Sequence, residues 1–393
     1  MKRTFSLILI LTIVTSLFHV SIFADSRTKY EAEHKSQVDA YSVSEDIVGA
    51  YLIEASTGRV LYAKNEYKSM IPASVTKIMT LLLVCEALEN GRINLEDTVS
   101  VSENASSKGG SQVFLKEGER ISVLDLLKST VIASANDAAV ALAELVAGSE
   151  GAFVRQMNRR ASELGLKNTN FENATGLDDT ATNHYSCPSD IAKMSRELIK
   201  HDIILEYSSL WQDSIRNGEF ILTNTNRLVR YYDGCNGLKT GSTDKAGYCV
   251  SASAKRGNMQ LIAVIMGAPT RDIRNAAARE LLDYGFAEYA LYERGEIMLE
   301  EVPVLSGKRD SLPIYAEKFS SVIPKADLDK VELLYELPEA LKAPVTKGSA
   351  VGRILYRIDG DQIGFSTVFA GEASEKIEFF DILCRILEKI FIG

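Results

Sequence analysis

Three short elements hold residue types that could do chemistry together: Ser74-Val-Thr-Lys77, Ser134-Ala-Asn136 and Lys239-Thr-Gly241. A Ser three residues before a Lys at a helix start puts a hydroxyl one turn from an amine. If burial keeps that amine neutral, it can take the hydroxyl's proton and make a nucleophile. The other two elements bring groups able to shuttle a proton and to bind a carboxylate. Each pattern is weak alone. Ser-x-x-Lys recurs at Ser26-Arg-Thr-Lys29 and Ser242-Thr-Asp-Lys245, and Ser-x-Asn recurs at Ser102-Glu-Asn104.

Context separates the copies. Ser74 follows Ile71-Pro72-Ala73 and opens the run Ile78-Met-Thr-Leu-Leu-Leu-Val-Cys85, apolar all round and therefore a buried helix. Pro72 fits its entry and Gly91 its stop. Ser74 is then placed where helix N–H groups favour developing negative charge, and Lys77 is carried inward. Ser134 falls between the apolar segments 126–132 and 138–143, a junction of two helices, whereas Ser26 and Ser102 lie in polar segments.

The chain around these elements reads as alternating classes. Gly49–Ile53 and Arg59–Tyr62 form a hairpin, helices follow, and a second hairpin spans Gly247–Ala254 and Met259–Met266. Asp272–Tyr284 reads as a helix ended by Gly285. Strands on both sides of a helical insert imply one antiparallel sheet built from distant segments, with the three elements at the seam. From Glu296 to about Gly371, short alternating runs and turn signals indicate a small β-rich domain without candidate chemistry.

Together with Pro72-Ala-Ser-Val-Thr-Lys77, Asn173-Ala-Thr-Gly-Leu-Asp178 and Gly237-Leu-Lys-Thr-Gly-Ser-Thr-Asp-Lys-Ala-Gly-Tyr248, this set resembles the serine-type D-alanyl-D-alanine carboxypeptidases, the low-molecular-mass penicillin-binding proteins. The resemblance runs from about residue 47 to 393. It departs at Ser186-Cys-Pro-Ser189, a segment expected to be peripheral. It implies an α+β (α/β class) fold: a penicillin-binding/β-lactamase-like catalytic domain over residues 47–292, with an antiparallel sheet and a helical subdomain, and the β-rich domain over 296–371.

The resemblance also implies the chemistry. Ser74 would attack the penultimate D-Ala carbonyl of a peptidoglycan stem peptide, Lys77 would be its base, and Ser134 would pass the proton to the leaving amine. Asn136 would hold the substrate amide and fix Lys77. Lys239 and Thr240 would bind the substrate carboxylate, Gly241 would let substrate approach the strand, and the N–H groups of Ser74 and Ser242 would form the oxyanion hole. No metal or cofactor is implied, and β-lactams would be covalent inhibitors. Arg271 and Arg274 are expected at the surface, with contact to the carboxylate as the alternative. Two other functions share the acylating parts: a class A-like β-lactamase, and a non-catalytic penicillin-binding sensor or wall-docking module.

Composition limits the remainder. The 393 residues are 46% hydrophobic with net charge −9, enough for two cores and unsuited to nucleic acid. Lys2-Arg3 followed by an apolar run and Ala24 reads as a signal over residues 1–24, with an uncleaved anchor as alternative, and either reading exports the chain. Residues 25–46 read as a linker. Five Cys include no Cys-x-x-Cys, and a Cys235–Cys249 pair is left open. His184 and His201 are expected in surface or loop positions without a role. At the C-terminus, Ile377, Phe380, Leu383, Cys384, Leu387 and Phe391 recur at helical spacing. Residues 375–393 are therefore expected as an amphipathic helix on the outer face of the cytoplasmic membrane, the alternative being a helix docked on the protein's own core.

Overall fold

The computed structural model describes residues 42–391, so the signal segment and most of the expected linker lie outside the described residues. The last linker positions are not free: Val43 is buried, and its N–H donates to the Tyr62 hydroxyl at 3.3 Å. The chain divides into two compact units, one ending at Glu288 and the other beginning at Tyr289.

In the first unit, β1 (Gly49–Glu54), β2 (Val60–Lys64), β5 (Cys235–Thr243), β6 (Gly247–Arg256) and β7 (Met259–Ala268) form an antiparallel sheet in the order β2-β1-β7-β6-β5. The β1–β7 pairing joins residues more than two hundred positions apart, with Gly49 opposite Met266. A small hairpin, β3 (Gln212–Ile215) with β4 (Phe220–Thr223), precedes β5. Helices α1 (Lys77–Glu89), α2 (Val123–Val131), α3 (Asn136–Ala147), α4 (Glu150–Glu163) and α5 (Pro188–Leu198) make the helical insert. Tyr51, Ile53, Ile262 and Val264 face its core, which includes Ile78, Leu82, Leu127, Val140 and Phe153. Both faces of β7 are buried, which is why its sequence is a nearly unbroken apolar run.

The helix after β7 is longer than its glycine suggested. α6 (Arg271–Glu288) continues through Gly285. A Cβ there would lie 2.6 Å from Leu261 Cδ1 and 3.0 Å from Leu52 Cδ2, so Gly285 serves close helix-to-sheet packing and does not end the helix. The cysteines are also settled. Cys235 lies opposite Ala254, five residues along β6 from Cys249, a separation of roughly 17 Å at strand rise, and both thiols are free.

In the second unit, β8 (Tyr289–Arg294) pairs with β11 (Phe319–Pro324). A five-stranded sheet has the order β9 (Ile297–Met298), β10 (Ile314–Ala316), β14 (Asp361–Ala370), β13 (Ala350–Ile358), β12 (Glu332–Glu336). Its core stacks Phe319 on Tyr356 at 3.8 Å between centroids. Ile377 is not helical as expected: its N–H donates to the Ser306 carbonyl, and α7 begins only at Phe379 and runs to Phe391. Among the described side chains of α7 the large apolar ones are exposed, Phe379 to 80% and Phe380 to 72%. No helix among the described residues is long and apolar enough to cross a membrane.

Candidate active site

Ser74 lies on a 3-10 turn, Ala73–Thr76, and Lys77 is the first residue of α1. In a 3-10 turn residues i and i+3 eclipse, which aligns the two side chains more closely than an α-turn would. The Lys77 amine is fully buried and contacts three oxygens: Ser74 Oγ at 3.0 Å, Asn136 Oδ1 at 2.6 Å and the Thr175 carbonyl at 2.9 Å. Burial first, and then the nearby Lys239, push its pKa well below the ordinary lysine value, against a weaker opposing pull from Asp137. A neutral amine has two N–H bonds and one lone pair. The amide and carbonyl oxygens can only accept, so they take the two N–H bonds. The lone pair is left for the one partner that can donate, the Ser74 hydroxyl.

Asn136 is held so that its oxygen faces Lys77. Its Nδ2 donates to the Gly109 carbonyl at 2.7 Å, and its backbone N–H donates to the Ser111 carbonyl at 2.7 Å. Ser134, at the α2–α3 junction, has a left-handed φ of +62° and lines the same cleft as Ser74. That cleft has a volume of about 440 Å³.

The segment Asn173–Asp178 supplies groups that residue types could not announce. Thr175 takes part through its carbonyl, and the adjacent Ala174 carbonyl accepts from Thr80 Oγ1 at 2.7 Å. Gly176 has φ +82°, and a Cβ there would overlap the Ala73 carbonyl oxygen at 1.8 Å. Only glycine lets this segment close over the turn that carries Ser74.

Gly241 performs a similar task from β5. A Cβ on it would meet Ser74 N at 2.8 Å and Pro72 O at 2.9 Å. Its missing side chain therefore makes room for the Ser74 turn, where room for substrate was expected. Lys239 is buried, and its amine donates to the Thr240 carbonyl at 2.9 Å. Burial, with the Arg274 charge second, lowers its pKa to about 7. Thr240 Oγ1 donates to Thr225 Oγ1 at 2.8 Å, and Thr240, Gly241 and Ser242 all line the cleft.

Two expectations about peripheral residues are corrected. Arg274 is not a surface residue: only 3% exposed, it donates to Asn275 Oδ1 and lines the cleft, whereas Arg271 is exposed at the cleft rim. Its pKa, lowered to about 10 chiefly by burial, leaves it charged at neutral pH. His184 lies in a loop, one of the two placements expected, but it is buried there. Its Nδ1 accepts from the Glu172 N–H at 3.1 Å, so in the neutral ring the proton is on Nε2 and is donated to Thr76 Oγ1 at 2.8 Å. Burial pushes the His184 pKa down to about 4 and keeps the ring neutral. The Ser186-Cys-Pro-Ser189 segment is joined to the chain that leads into the Ser74 turn, because Ser186 pairs with Met70, two residues before Pro72. His201 has an ion-pair geometry with Glu89, remote from the cleft lining.

A serine hydroxyl on a tight turn, a buried amine turned toward it by two acceptors, and cationic side chains along the cleft make an arrangement able to support serine acyl transfer with lysine as the base. Residues 34–270 match the peptidase S11 family, described as D-alanyl-D-alanine carboxypeptidase, and residues 286–376 match the penicillin-binding protein 5 C-terminal domain. The chain is 41% identical to the D-alanyl-D-alanine carboxypeptidase DacF of Bacillus subtilis (strain 168), over 98% of each protein. The crystal structure of penicillin-binding protein 5 from Haemophilus influenzae superposes with a TM-score of 0.75 at 32% identity, covering 86% of this chain and 99% of that one. Penicillin-binding protein D2 from Listeria monocytogenes, in its ampicillin-bound form, gives 0.58 at 31% identity, over 63% of this chain and 99% of that one. The chain belongs to the peptidase S11 family of D-alanyl-D-alanine carboxypeptidases.

His184 ties the Ser74–Lys77 turn to the segment that supplies the Thr175 carbonyl. His184→Leu should slow acylation by penicillin at least about tenfold, since small misplacements of reacting groups are costly. His184→Gln can accept from Glu172 and donate to Thr76, so it should keep most of the rate. Stopped-flow acylation with melting temperatures on both variants checks this, and equal rates for the two would refute the tie.

Proposed function

We propose that the chain removes the terminal D-alanine from peptidoglycan stem peptides, with Ser74 as nucleophile and Lys77 as its base. The observation carrying this reading is the buried Lys77 amine, oriented by Asn136 and Thr175 toward Ser74 Oγ. Ser74 Oγ adds to the carbonyl carbon of the penultimate D-Ala as Lys77 accepts its proton, and the N–H groups of Ser74 and Ser242 receive the oxyanion. Collapse breaks the C–N bond. The proton passes by way of Ser134 to the leaving amine, which restores neutral Lys77. Water, deprotonated by the same amine, then hydrolyses the ester and regenerates the Ser74 hydroxyl.

Lys239, Thr240 and Arg274 would hold the substrate's terminal carboxylate. Because the Lys239 pKa is near 7, Arg274 is the charge that persists across the working range. Opening of a β-lactam follows the same path, except that the expelled amine stays tethered. The resemblance to the ampicillin-bound protein supports this.

Export through residues 1–24 and attachment through α7 complete the proposal. The exposed apolar side chains of α7 support an in-plane membrane helix, since a 13-residue helix spans only about 20 Å and the hydrocarbon core is about 30 Å thick.

Intact-mass spectrometry after penicillin treatment should show one adduct, on the peptide containing Ser74, and none in Ser74→Ala. Lys77→Arg cannot give up a proton near neutrality, and its acylation should fall at least about a hundredfold.

The acylation rate should rise with pH while Lys77 loses its proton and then level off, because the amine is active only when neutral. A plateau well below the ordinary lysine value of about 10.4 is expected. A rate still climbing at that pH would show that the base titrates as an exposed lysine.

Deleting Glu375–Gly393 should abolish co-sedimentation with lipid vesicles and leave peptide hydrolysis nearly intact. A helix docked on the protein would show the reverse: no vesicle binding in the parent protein, and a lower melting temperature on truncation.

A further inference from the structure

Asn136 can orient Lys77 only one way round. Its Oδ1 must face the amine and its Nδ2 the Gly109 carbonyl, because a carbonyl cannot donate. Flipped, the amide would offer an N–H to the lysine lone pair and draw it off Ser74. The two ends of an amide have nearly the same shape, so the side chain itself does not choose. A backbone loop chooses for it: Gly109 fixes the amide, and the Ser111 carbonyl accepts the Asn136 backbone N–H at 2.7 Å. Whatever holds that loop decides where the lone pair points.

The next residue holds it. Asp137 is fully buried and forms no ion pair among the described residues. Its Oδ2 accepts the N–H groups of Val113 at 3.1 Å and Leu115 at 3.0 Å, and its Oδ1 accepts that of Ala138 at 2.9 Å. N–H groups two residues apart converge on one oxygen only if the chain curls around it, as in an anion-binding nest. Phe114, between them, accordingly has a left-handed φ of +57° and is 67% exposed. A bulky residue adopts that backbone at a cost, and the buried carboxylate supplies the reason. From the other side, Arg216 Nη1 donates to the Val113 carbonyl at 3.0 Å, and Arg216 Nε pairs with Glu119 at 2.8 Å. Neither Asp137 nor Arg216 lines the catalytic cleft. We propose that Asp137 is a positioning residue for acyl transfer: by gripping Val113 and Leu115 it fixes the loop that keeps the Asn136 oxygen toward Lys77. Arg216 supports the same loop from outside. This inference rests on the reading of Lys77 as the base.

The test is a double-mutant cycle on the full chain, read by the rate of Ser74 acylation with penicillin. The Asp137 charge also reaches Lys77, so the reference is Asp137→Asn, which drops the charge but keeps an oxygen for Val113 and Leu115. Asp137→Ala loses both. With Asn136 present, Asp137→Asn should acylate at least about ten times faster than Asp137→Ala. In an Asn136→Ala background there is no amide to orient, and the two should differ by less than about twofold. Arg216→Gln, at a partly exposed position, repeats the cycle against the native protein if Asp137→Ala does not fold. Its loss of about threefold or more should likewise vanish without Asn136. Melting temperatures show which variants are folded. Equal rates for Asp137→Asn and Asp137→Ala overturn the proposal, and so does a loss of the same size with and without Asn136, which would make the grip purely structural. If Lys77→Arg acylates as fast as the native protein, the reading of Lys77 as base fails and the positioning role fails with it.

Discussion

The structure depends on taking one lysine amine out of water. Lys77 is completely buried, and an ammonium ion in that position would carry a large desolvation cost. That cost lowers the Lys77 pKa well below the ordinary lysine value, and the neighbouring Lys239 pushes in the same direction. A deprotonated amine is a base only if its lone pair has somewhere useful to point. Asn136 and Thr175 provide that orientation by accepting its two N–H bonds, so the packing that buries the amine also fixes where its lone pair points.

Three distant segments meet at this amine. The 3-10 turn Ala73–Thr76 presents Ser74, the α2–α3 junction presents Ser134 and Asn136, and β5 runs alongside with Lys239 and Thr240. Two glycines set the spacing. Gly241 lets β5 lie against Ser74 N, and Gly176 lets the Asn173–Asp178 segment close over Ala73. A methyl group at either position would collide with backbone, which cannot rotate away as a side chain can. His184 then fastens this closing segment to Thr76, inside the same turn.

The electrostatics are graded along the cleft. At one end, burial drives Lys77 toward neutrality; beside it, Lys239 titrates near 7; farther along, Arg274 stays charged despite its burial. A guanidinium delocalises its charge and binds protons far more tightly than an amine, so equal burial leaves it cationic. An amine held toward neutrality and a lasting cation can therefore share one small region.

Much of this was legible from residue order. Ser74, Lys77, Ser134, Asn136, Lys239 and Thr240 are recognisable because their types and short spacings are local, and the buried helix behind them shows as an unbroken apolar run. The two hairpins and the helical insert follow from alternation and turn residues, which are also local. Tertiary structure alone decided what has no side-chain signature or lies far away in sequence. The Thr175 carbonyl could come from any residue type, and the burial of His184 and Arg274 depends on elements that pack against them from other parts of the chain. Gly285 shows the limit most simply. Within its own helix a glycine reads as a stop, and only the approach of Leu52 and Leu261 from the sheet makes it a packing contact. Spacing determines which groups a segment can present together, whereas burial and long-range contact determine which of those groups keep their protons.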